Sequence, residues 1–374
     1  MIRNELIVCA RCVLDTTVSD ITFDEQGICN YCHDYDNRIA KITQKKPEVR
    51  KLECDALINR IKKDGTNKKY DCIVGVSGGV DSSWALIQAK KMGLRPLAVH
   101  MDNGWNSELA QNNIENLVRM LEIDLYTHVI EWTEYKSLMQ AFFDADVIDV
   151  ELLYDNAMLA VNYNLAKKHN VKWILSGCNM STEGVRVPTG WNWLKKDKRN
   201  IKAIAETKKI KLKSFPSIGT AGYIYFEFIK KIKWLPFLDY FEFDKEQALN
   251  CLEVEYGYKR YPYKHYESVF TRFYQGYLLP EKFNVDKRKL HFSSLILSGQ
   301  MSRKIAINNL NEIPYPSQNE LDEDMAYFLK KMRWTTKQLN EYISRPEVSH
   351  DKFPTEKNIW DYCRSMYFSI VKNK

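Results

Sequence analysis

Cys72-Ile73-Val74-Gly75-Val76-Ser77-Gly78-Gly79-Val80-Asp81-Ser82-Ser83 decides the architecture of this chain. The first five residues are a short apolar run and read as a strand, and the periodic stretch from about Ser82 to Met92 reads as a helix. Between them, glycines let the backbone turn sharply with its N–H groups facing inward. Serines add hydroxyl donors, and the helix that follows presents its positive end. The product is a cradle for an anion. It is not a Walker loop, which ends in Gly-Lys-Ser/Thr, and it is not a Gly-x-Gly-x-x-Gly dinucleotide turn.

Outward from this loop the pattern alternates. Pro96 to Met101 reads as a strand, and Ser107 to Leu121 as a helix with Leu109, Ile114, Leu117, Val118 and Leu121 on one face. Leu125 to Ile130 is the next strand, and a helix over Asp155 to His169 leads into Val171-Lys172-Trp173-Ile174-Leu175. Strand, helix, strand in this order predicts an α/β fold with a parallel sheet covered on both faces. Ligands of such sheets sit at the carboxyl ends of the strands. Three ends carry polar loops: Ser77 to Ser83, His100-Met101-Asp102-Asn103-Gly104-Trp105-Asn106-Ser107, and Ser176-Gly177-Cys178-Asn179. Asp81 and Asp102 suit loop geometry or Mg2+, which takes oxygen ligands. His100 alone reads as a satisfied structural histidine.

Cys9-Ala10-Arg11-Cys12 and Cys29-Asn30-Tyr31-Cys32 are separated by sixteen residues, inside the spacing of structural zinc sites. Two such knuckles complete a tetrahedral thiolate shell for Zn2+ with no position left for substrate. Four thiolates also suit iron. The charged run Gln44-Lys45-Lys46-Pro47-Glu48-Val49-Arg50-Lys51 follows as a linker. The expected division is a zinc module over residues 1–45, the sheet domain over 52–240, and a mainly helical, aromatic region over 241–374. The remaining cysteines, Cys54, Cys72, Cys178, Cys251 and Cys363, are scattered, as in a reducing compartment.

The 374 residues are 45% hydrophobic and 28% charged, which excludes a small disulfide scaffold and global disorder. The formal net charge is +7, and the run Lys195 to Lys213 holds nine basic residues against Asp197 and Glu206, so it accounts for the whole surplus. That run reads as a solvated helix and loop, with a polyphosphate or nucleic-acid surface as the alternative. Met1-Ile2-Arg3-Asn4-Glu5 lacks the shape of a signal peptide and no stretch is long and uncharged enough to span a membrane, so a cytoplasmic location is expected. Ala221 to Tyr240 is aromatic but interrupted by Glu227, Lys230, Lys231 and Lys233, and reads as an amphipathic packing element rather than a membrane-surface or partner-docking helix.

Ser77 to Ser83 resembles the pyrophosphate loop of the N-type ATP pyrophosphatases, which include GMP synthetase, NAD synthetase, asparagine synthetase and the tRNA thiolases. The carboxyl part narrows the resemblance. Tyr263-Lys264-His265-Tyr266-Glu267-Ser268-Val269-Phe270-Thr271-Arg272-Phe273-Tyr274-Gln275-Gly276-Tyr277-Leu278-Leu279-Pro280 continues through Lys282-Phe283, Asp286-Lys287-Arg288, His291, Ser293, Ser298-Gly299-Gln300 and Arg303. With the four cysteines and Asp102-Asn103-Gly104-Trp105-Asn106, this resembles the N-acetyl sugar amidotransferases of bacterial surface-polysaccharide synthesis, the lipopolysaccharide O-antigen and nonulosonic acid enzymes.

The resemblance implies that ATP adenylates the oxygen of an acetamido group, releasing pyrophosphate, and that ammonia then expels AMP to leave an acetamidino sugar. It assigns ATP to Ser77, Gly78, Gly79, Val80, Asp81, Ser82, Ser83, Met101, Asp102, Asn103 and Gly177. Catalysis falls to Asp81 with Lys282, Lys287 and Arg288, the last three reaching phosphate charge from a mobile carboxyl-terminal segment. Trp105, Asn106, Asn179, Glu183 and His291 would position an N-acetylated sugar or nucleotide sugar and the ammonia. No cysteine–histidine–carboxylate glutaminase is legible. The resemblance therefore implies a separate glutaminase similar to the histidine-pathway enzyme, with a cyclase-like barrel companion. The rival reading is a tRNA-thiolating or otherwise tRNA-modifying enzyme, which needs a reactive cysteine; Cys178 alone is placed to serve, since Cys72 sits in a buried strand. A non-catalytic scaffold would have a damaged loop, and this one is intact.

Overall fold

The computed structural model describes residues 6–43, 46–262 and 265–372. Met1 to Glu5, Gln44 and Lys45 of the charged linker, and Tyr263-Lys264 of the carboxyl-terminal motif lie outside the described residues. Five parallel strands form one sheet: β1 (Cys72–Gly75), β2 (Pro96–Asp102), β3 (Leu125–Val129), β4 (Trp173–Ser176) and β5 (Lys233–Pro236), in the order β3-β2-β1-β4-β5. Val74 stands opposite Ala98 on one side and Leu175 on the other. The chain moves outward through β2 and β3, then returns across β1 to lay down β4. The strand order therefore reverses between β1 and β4, where open α/β sheets leave a crevice for ligands.

Helices α1 (Asn30–Thr43), α2 (Pro47–Asp64), α3 (Val80–Lys91), α4 (Glu108–Leu121), α5 (Trp132–Asp144) and α6 (Leu152–Lys168) occupy the intervals. Strand side chains alternate between faces. Ile73, Leu97, Val99 and Ile174 join the core beneath α5 and α6, whereas Cys72, Val74, Ala98 and Leu175 join the core beneath α2, α3 and α4. The expected sheet covered on both faces is present, with one difference. β3 is an edge strand, and Tyr126 and Val129 on it are exposed.

Ala221 to Tyr240 departs from its expected form. A helical turn (Thr220–Ile224) widens into a π-turn (Tyr225–Ile229), then gives β5 and a 3-10 turn (Phe237–Tyr240). Of the charges that interrupt the aromatic pattern, Lys233 lies on the edge strand and bridges to Glu227 of the π-turn at 3.2 Å, as charged side chains commonly do on exposed edges. The basic run also differs from a uniformly solvated face. Lys195 lies between Asp149 and Asp155 at 2.7 and 2.9 Å, and Lys208 pairs with Asp144 at 2.8 Å. Lys196 stands 3.4 Å from the Tyr223 ring centre and 4.2 Å from that of Trp360, and burial lowers its amine to about 8. Among the described residues no helix is long and apolar enough to cross a membrane.

The carboxyl-terminal helices share the core of the sheet. Phe273, Phe328 and Tyr342 are fully buried together with Phe143 and Trp105. The Phe273 and Phe328 rings lie 4.9 Å apart and those of Trp105 and Phe270 5.4 Å apart, spacings of favourable aromatic pairs. Lys282 belongs to this interior and not to a mobile phosphate-seeking segment. Its side chain is 0% exposed, its ammonium donates to the carbonyls of Tyr342 and Arg345 at 2.7 and 2.8 Å, and it pairs with Asp146 at 3.0 Å. All three of its donors are spent on the fold. Arg288 is likewise occupied, bound to Asp286 and to the carbonyls of Asn309 and Glu312 at the end of the following helix (Arg303–Asn311). Replacing Lys282 by Ala should lower the unfolding free energy by about 3–5 kcal/mol, because it strands two buried carbonyls and unbalances a buried carboxylate. Urea denaturation showing a loss below about 1 kcal/mol would contradict this assignment.

Candidate active site at the carboxyl ends of the strands

The loop after β1 is held in shape by its own serines and by two tyrosines from far along the chain. The Ser77 hydroxyl receives the Gly79 N–H at 3.2 Å and contacts the Ser82 hydroxyl at 3.2 Å, while Ser82 accepts from the Ser77 N–H at 3.2 Å. Gly78 has φ +87°, the left-handed region, and a Cβ there would come 2.9 Å from the Ala110 carbonyl oxygen. Its own carbonyl accepts from the phenols of Tyr258 and Tyr261, both at 2.9 Å. Gly79 is the N-cap of α3 with no side-chain bond to the helix. The first turn of α3 thus takes no side-chain bond from its N-cap residue and presents backbone N–H groups toward the loop, a helix end of the kind that can receive an anion.

β4 closes the back of this loop. A Cβ on Gly177 would lie 2.6 Å from the Asp81 carbonyl carbon and 2.7 Å from the Ser82 nitrogen. Gly177 thus serves by letting two backbones meet. Asn179, 5% exposed, caps a short helical turn by accepting from the Thr182 N–H at 2.9 Å, and its amide donates to the Gly177 carbonyl at 3.2 Å. It shapes the β4 loop, whereas a sugar contact was expected. Cys178 is exposed at the same strand end, and Glu183 is exposed four residues after Asn179.

The loop after β2 is shaped by hydrogen bonds from its own side chains. Asp102 accepts from the Gly104 N–H at 2.7 Å and from the Asn106 amide at 3.2 Å, and Asn103 accepts from the Trp105 N–H at 3.1 Å. The Asn106 amide also approaches His100 Nε2 at 3.0 Å, and His100 Nδ1 stands 3.0 Å from the Val76 carbonyl. With an amide donating to Nε2, the imidazole proton sits on Nδ1 and donates to Val76. His100 is a satisfied structural residue, as expected. Asn106 is spent on His100 and Asp102, Met101 is 3% exposed within the core, and Trp105 is 0% exposed. Met101 and Trp105 are thus packed into the core, and Asn106 is engaged within the loop. Trp105 is the hub of the aromatic cluster beneath the loop.

The sequence reading missed the strap across this site. The Asn113 side chain in α4 exchanges two hydrogen bonds with the Lys259 backbone, at 2.9 and 2.8 Å, and so fixes the segment that carries Tyr258 and Tyr261. Farther on, Ser107 N–H donates to the Glu267 carbonyl and Val269 N–H to the Trp105 carbonyl, both at 2.9 Å, and Asn106 and Ser268 form an antiparallel bridge. Glu267 Oε1 stands 3.8 Å from where a Cβ of Gly79 would lie. Five tyrosines between Tyr256 and Tyr266 were the available signal, an aromatic density without helical or strand period. Lys287 is bound to Glu151 at 2.9 Å, and His291 approaches the Thr182 carbonyl at 3.2 Å on the far side of the β4 loop.

The four cysteines converge. Cys9, Cys12, Cys29 and Cys32 are each 0% exposed, and their sulfurs lie within 4.8 Å of one another. The resolved edges are 3.8 Å for Cys9–Cys32, 3.7 Å for Cys12–Cys29 and 3.6 Å for Cys29–Cys32. Zinc–sulfur bonds of about 2.3 Å in a tetrahedron require edges of about 3.8 Å, so the residues fit one metal ion. A cluster that spreads its thiolates over several irons needs a wider shell. The knuckles are bolted to the carboxyl-terminal region: the Arg303 guanidinium donates to the carbonyls of Cys9 and Cys12 at 2.8 and 2.9 Å. Lys289 pairs with Asp15 at 2.6 Å, and the Val13 N–H reaches the Ser293 hydroxyl at 3.3 Å.

Residues 267–367 match the family described as LPS biosynthesis protein WbpG-like, C-terminal domain. The expected kinship with enzymes of bacterial surface-polysaccharide synthesis is borne out over that stretch. No curated protein matches the chain. Among solved structures it is similar to the NMN synthetase of Francisella tularensis, with 18% identity and TM-score 0.29 over 58% of this chain and 98% of that one. It is also similar to the NH3-dependent NAD synthetase of Campylobacter jejuni, with 16% identity and TM-score 0.29 over 55% and 82%. A third is the predicted subunit of tRNA methyltransferase from Methanocaldococcus jannaschii, with 14% identity and TM-score 0.28 over 49% and 73%.

The WbpG-like segment contains Lys289, Ser293 and Arg303, so metal removal should be felt beyond the knuckles. Cys12→Ser should reduce bound zinc from one per chain to a minor fraction, measured by elemental analysis. It should also cost several kcal/mol of stability, because the binding energy of a structural site is folding energy. Unchanged metal content would remove the zinc centre from this account.

Proposed function

We propose that this protein is an ATP-dependent amidotransferase that converts the acetamido group of a bacterial surface sugar to an acetamidino group. The observation that supports it is a single juxtaposition: Glu267, the first residue of the WbpG-like segment, stands beside Gly79 of the phosphate loop. The segment tied to polysaccharide synthesis and the loop built for an anion thus share one site. An acetamide is a poor electrophile, and its carbonyl oxygen becomes a leaving group once it is adenylated. The Ser77–Ser83 loop and the first turn of α3 would take the departing pyrophosphate, where fixed N–H donors stabilise developing charge. Asp81 and Asp102 are the carboxylates that would hold Mg2+ against the polyphosphate, an ion that takes oxygen ligands and neutralises phosphate charge when bound. Ammonia would come from a separate glutaminase, with a cyclase-like barrel protein as its companion.

Exposed Cys178 at the β4 end supports a second reading, a tRNA-thiolating or tRNA-modifying enzyme. Pyrophosphate release from ATP with ammonium present separates the two. A panel of N-acetylated nucleotide sugars and nonulosonic acids should include one that drives release and yields a product whose acetamide oxygen has become NH. Release driven only by bulk tRNA would overturn the proposal. Gly78→Ala should lower the sugar-driven rate by about tenfold or more, since the added Cβ must displace the loop from Ala110. A rate within about twofold of the wild type would contradict the role of the loop.

A further inference from the structure

A mixed cluster of charged side chains lies beside the phosphate loop and has no part in holding it. α6 leads through residues 169–172 into β4, which is parallel to β1, so α6 runs antiparallel to the strands and its first turn lies at their carboxyl ends. Asn162 of α6 is level with Gly75, its amide oxygen 3.8 Å from where a Gly75 Cβ would be. Asp155 lies seven residues earlier, about 10 Å higher at about 1.5 Å per residue. The phosphate loop leaves β1 at that same carboxyl end, just beyond Gly75. Asp155 and the loop therefore lie at the same end of the sheet. The side chains between them are in register with this placement. Tyr135 hydrogen-bonds Asn103 of the β2 loop and feels Tyr154, Asp155 and Glu151. Tyr154 feels Asp155 on one side and Glu267 and Asp102 on the other.

Within the cluster the carboxylates are not equivalent. Asp149 is 2% exposed and receives both Lys195 and the Trp193 N–H, each at 2.7 Å. Glu151 is taken by Lys287 at 2.9 Å and by the Gln275 amide. Asp155 pairs with Lys195 through Oδ2 at 2.9 Å, and 35% of its side chain is exposed. Burial, aided by Asp149 and Glu151 and opposed by Lys195, raises its pKa above the usual carboxylate value. It is an anchored, part-exposed carboxylate in the first turn of α6.

We propose that Asp155 is the proton acceptor for the attacking ammonia. The inference rests on the amidine-forming reading above. In that reaction the acetamide oxygen bonds to the α-phosphorus as the bond to pyrophosphate breaks. The ammonia nitrogen then bonds to the imidate carbon, and one of its protons passes to Asp155 Oδ1. The C–O bond next breaks with its electron pair leaving on AMP, and the product is an amidinium cation. Its two N–H-bearing nitrogens match a carboxylate as a guanidinium does. Asp155 returns the proton to solvent through its open face. Lys195 and Lys287 keep the cluster from holding three uncompensated negative charges.

The two half reactions give the test. In Asp155→Asn, sugar-dependent pyrophosphate release should stay within about threefold of wild type while the ratio of pyrophosphate to amidine rises about 10²-fold, the scale of a lost proton transfer. AMP and unchanged acetamido sugar should accumulate as water takes the place of ammonia. Asp155→Glu should restore the ratio. Equal loss of both half reactions in a folded variant, or an unchanged ratio, would overturn the assignment. The wild type supplies a reading independent of folding. At constant free ammonia its pyrophosphate-to-amidine ratio should rise as pH falls through the elevated carboxylate pKa, because the protonated acid cannot accept a proton. A ratio that stays flat as pH is lowered through and below the ordinary carboxylate range would overturn the assignment. Absence of any sugar-dependent pyrophosphate release from the wild type is the distinct failure of the amidine reading, and it overturns this assignment with it.

Discussion

Two backbone contacts set the geometry on which the rest of the site depends. Gly177 lets the end of β4 lie against the Asp81–Ser82 backbone at the start of α3, and Gly78 passes under the Ala110 carbonyl in the left-handed region. A side chain at either position would hold the elements apart. With both absent, the strand-order reversal between β1 and β4 closes around the loop and the first turn of α3. Tyr258 and Tyr261 then fix the Gly78 peptide from above, and Asn113 fixes their strap. The loop is preorganised by contacts that span more than 180 residues of sequence, so an arriving anion meets donors already oriented.

The same economy governs the carboxyl-terminal motif. Its residues look like an array of phosphate ligands, with basic side chains, histidine and serine at short spacing. In the structure most of them bind the protein to itself. Lys282 braces Asp146, Arg288 ends a helix, and Ser293, Lys289 and Arg303 clamp the four-cysteine module. The cysteine cluster at one end of the chain and the helical region at the other are thus tied together. Glu267, where the WbpG-like segment begins, stands beside Gly79 of the loop.

What was legible in the sequence was local. Strands β1, β2 and β4, helices α3, α4 and α6, the zinc knuckles and the phosphate loop all announce themselves by periodicity, spacing or glycine placement within a few residues. β5 was illegible because Lys233-Trp234-Leu235-Pro236 is a short edge strand inside an aromatic stretch with no clean period. Trp105, Asn106 and Asn179 were misread for one physical reason. Polar and aromatic residues at strand ends serve equally to close loops and to hold ligands, and only their partners tell the two apart. His100 was read correctly because a lone histidine after a strand is most simply satisfied by nearby backbone. Asp155 carried no sequence signal at all, since its environment is assembled from Lys195, Asp149 and Tyr154 by the fold.

The central claim is that the crevice between β1 and β4 serves transfer of AMP to an acetamide oxygen. The most direct measurement follows that oxygen. An acetamido sugar labelled with heavy oxygen in its carbonyl, turned over with ATP and ammonium, should deliver the label to AMP, detected by mass spectrometry, while pyrophosphate stays unlabelled. Label retained in the sugar, or found in pyrophosphate, would contradict the account.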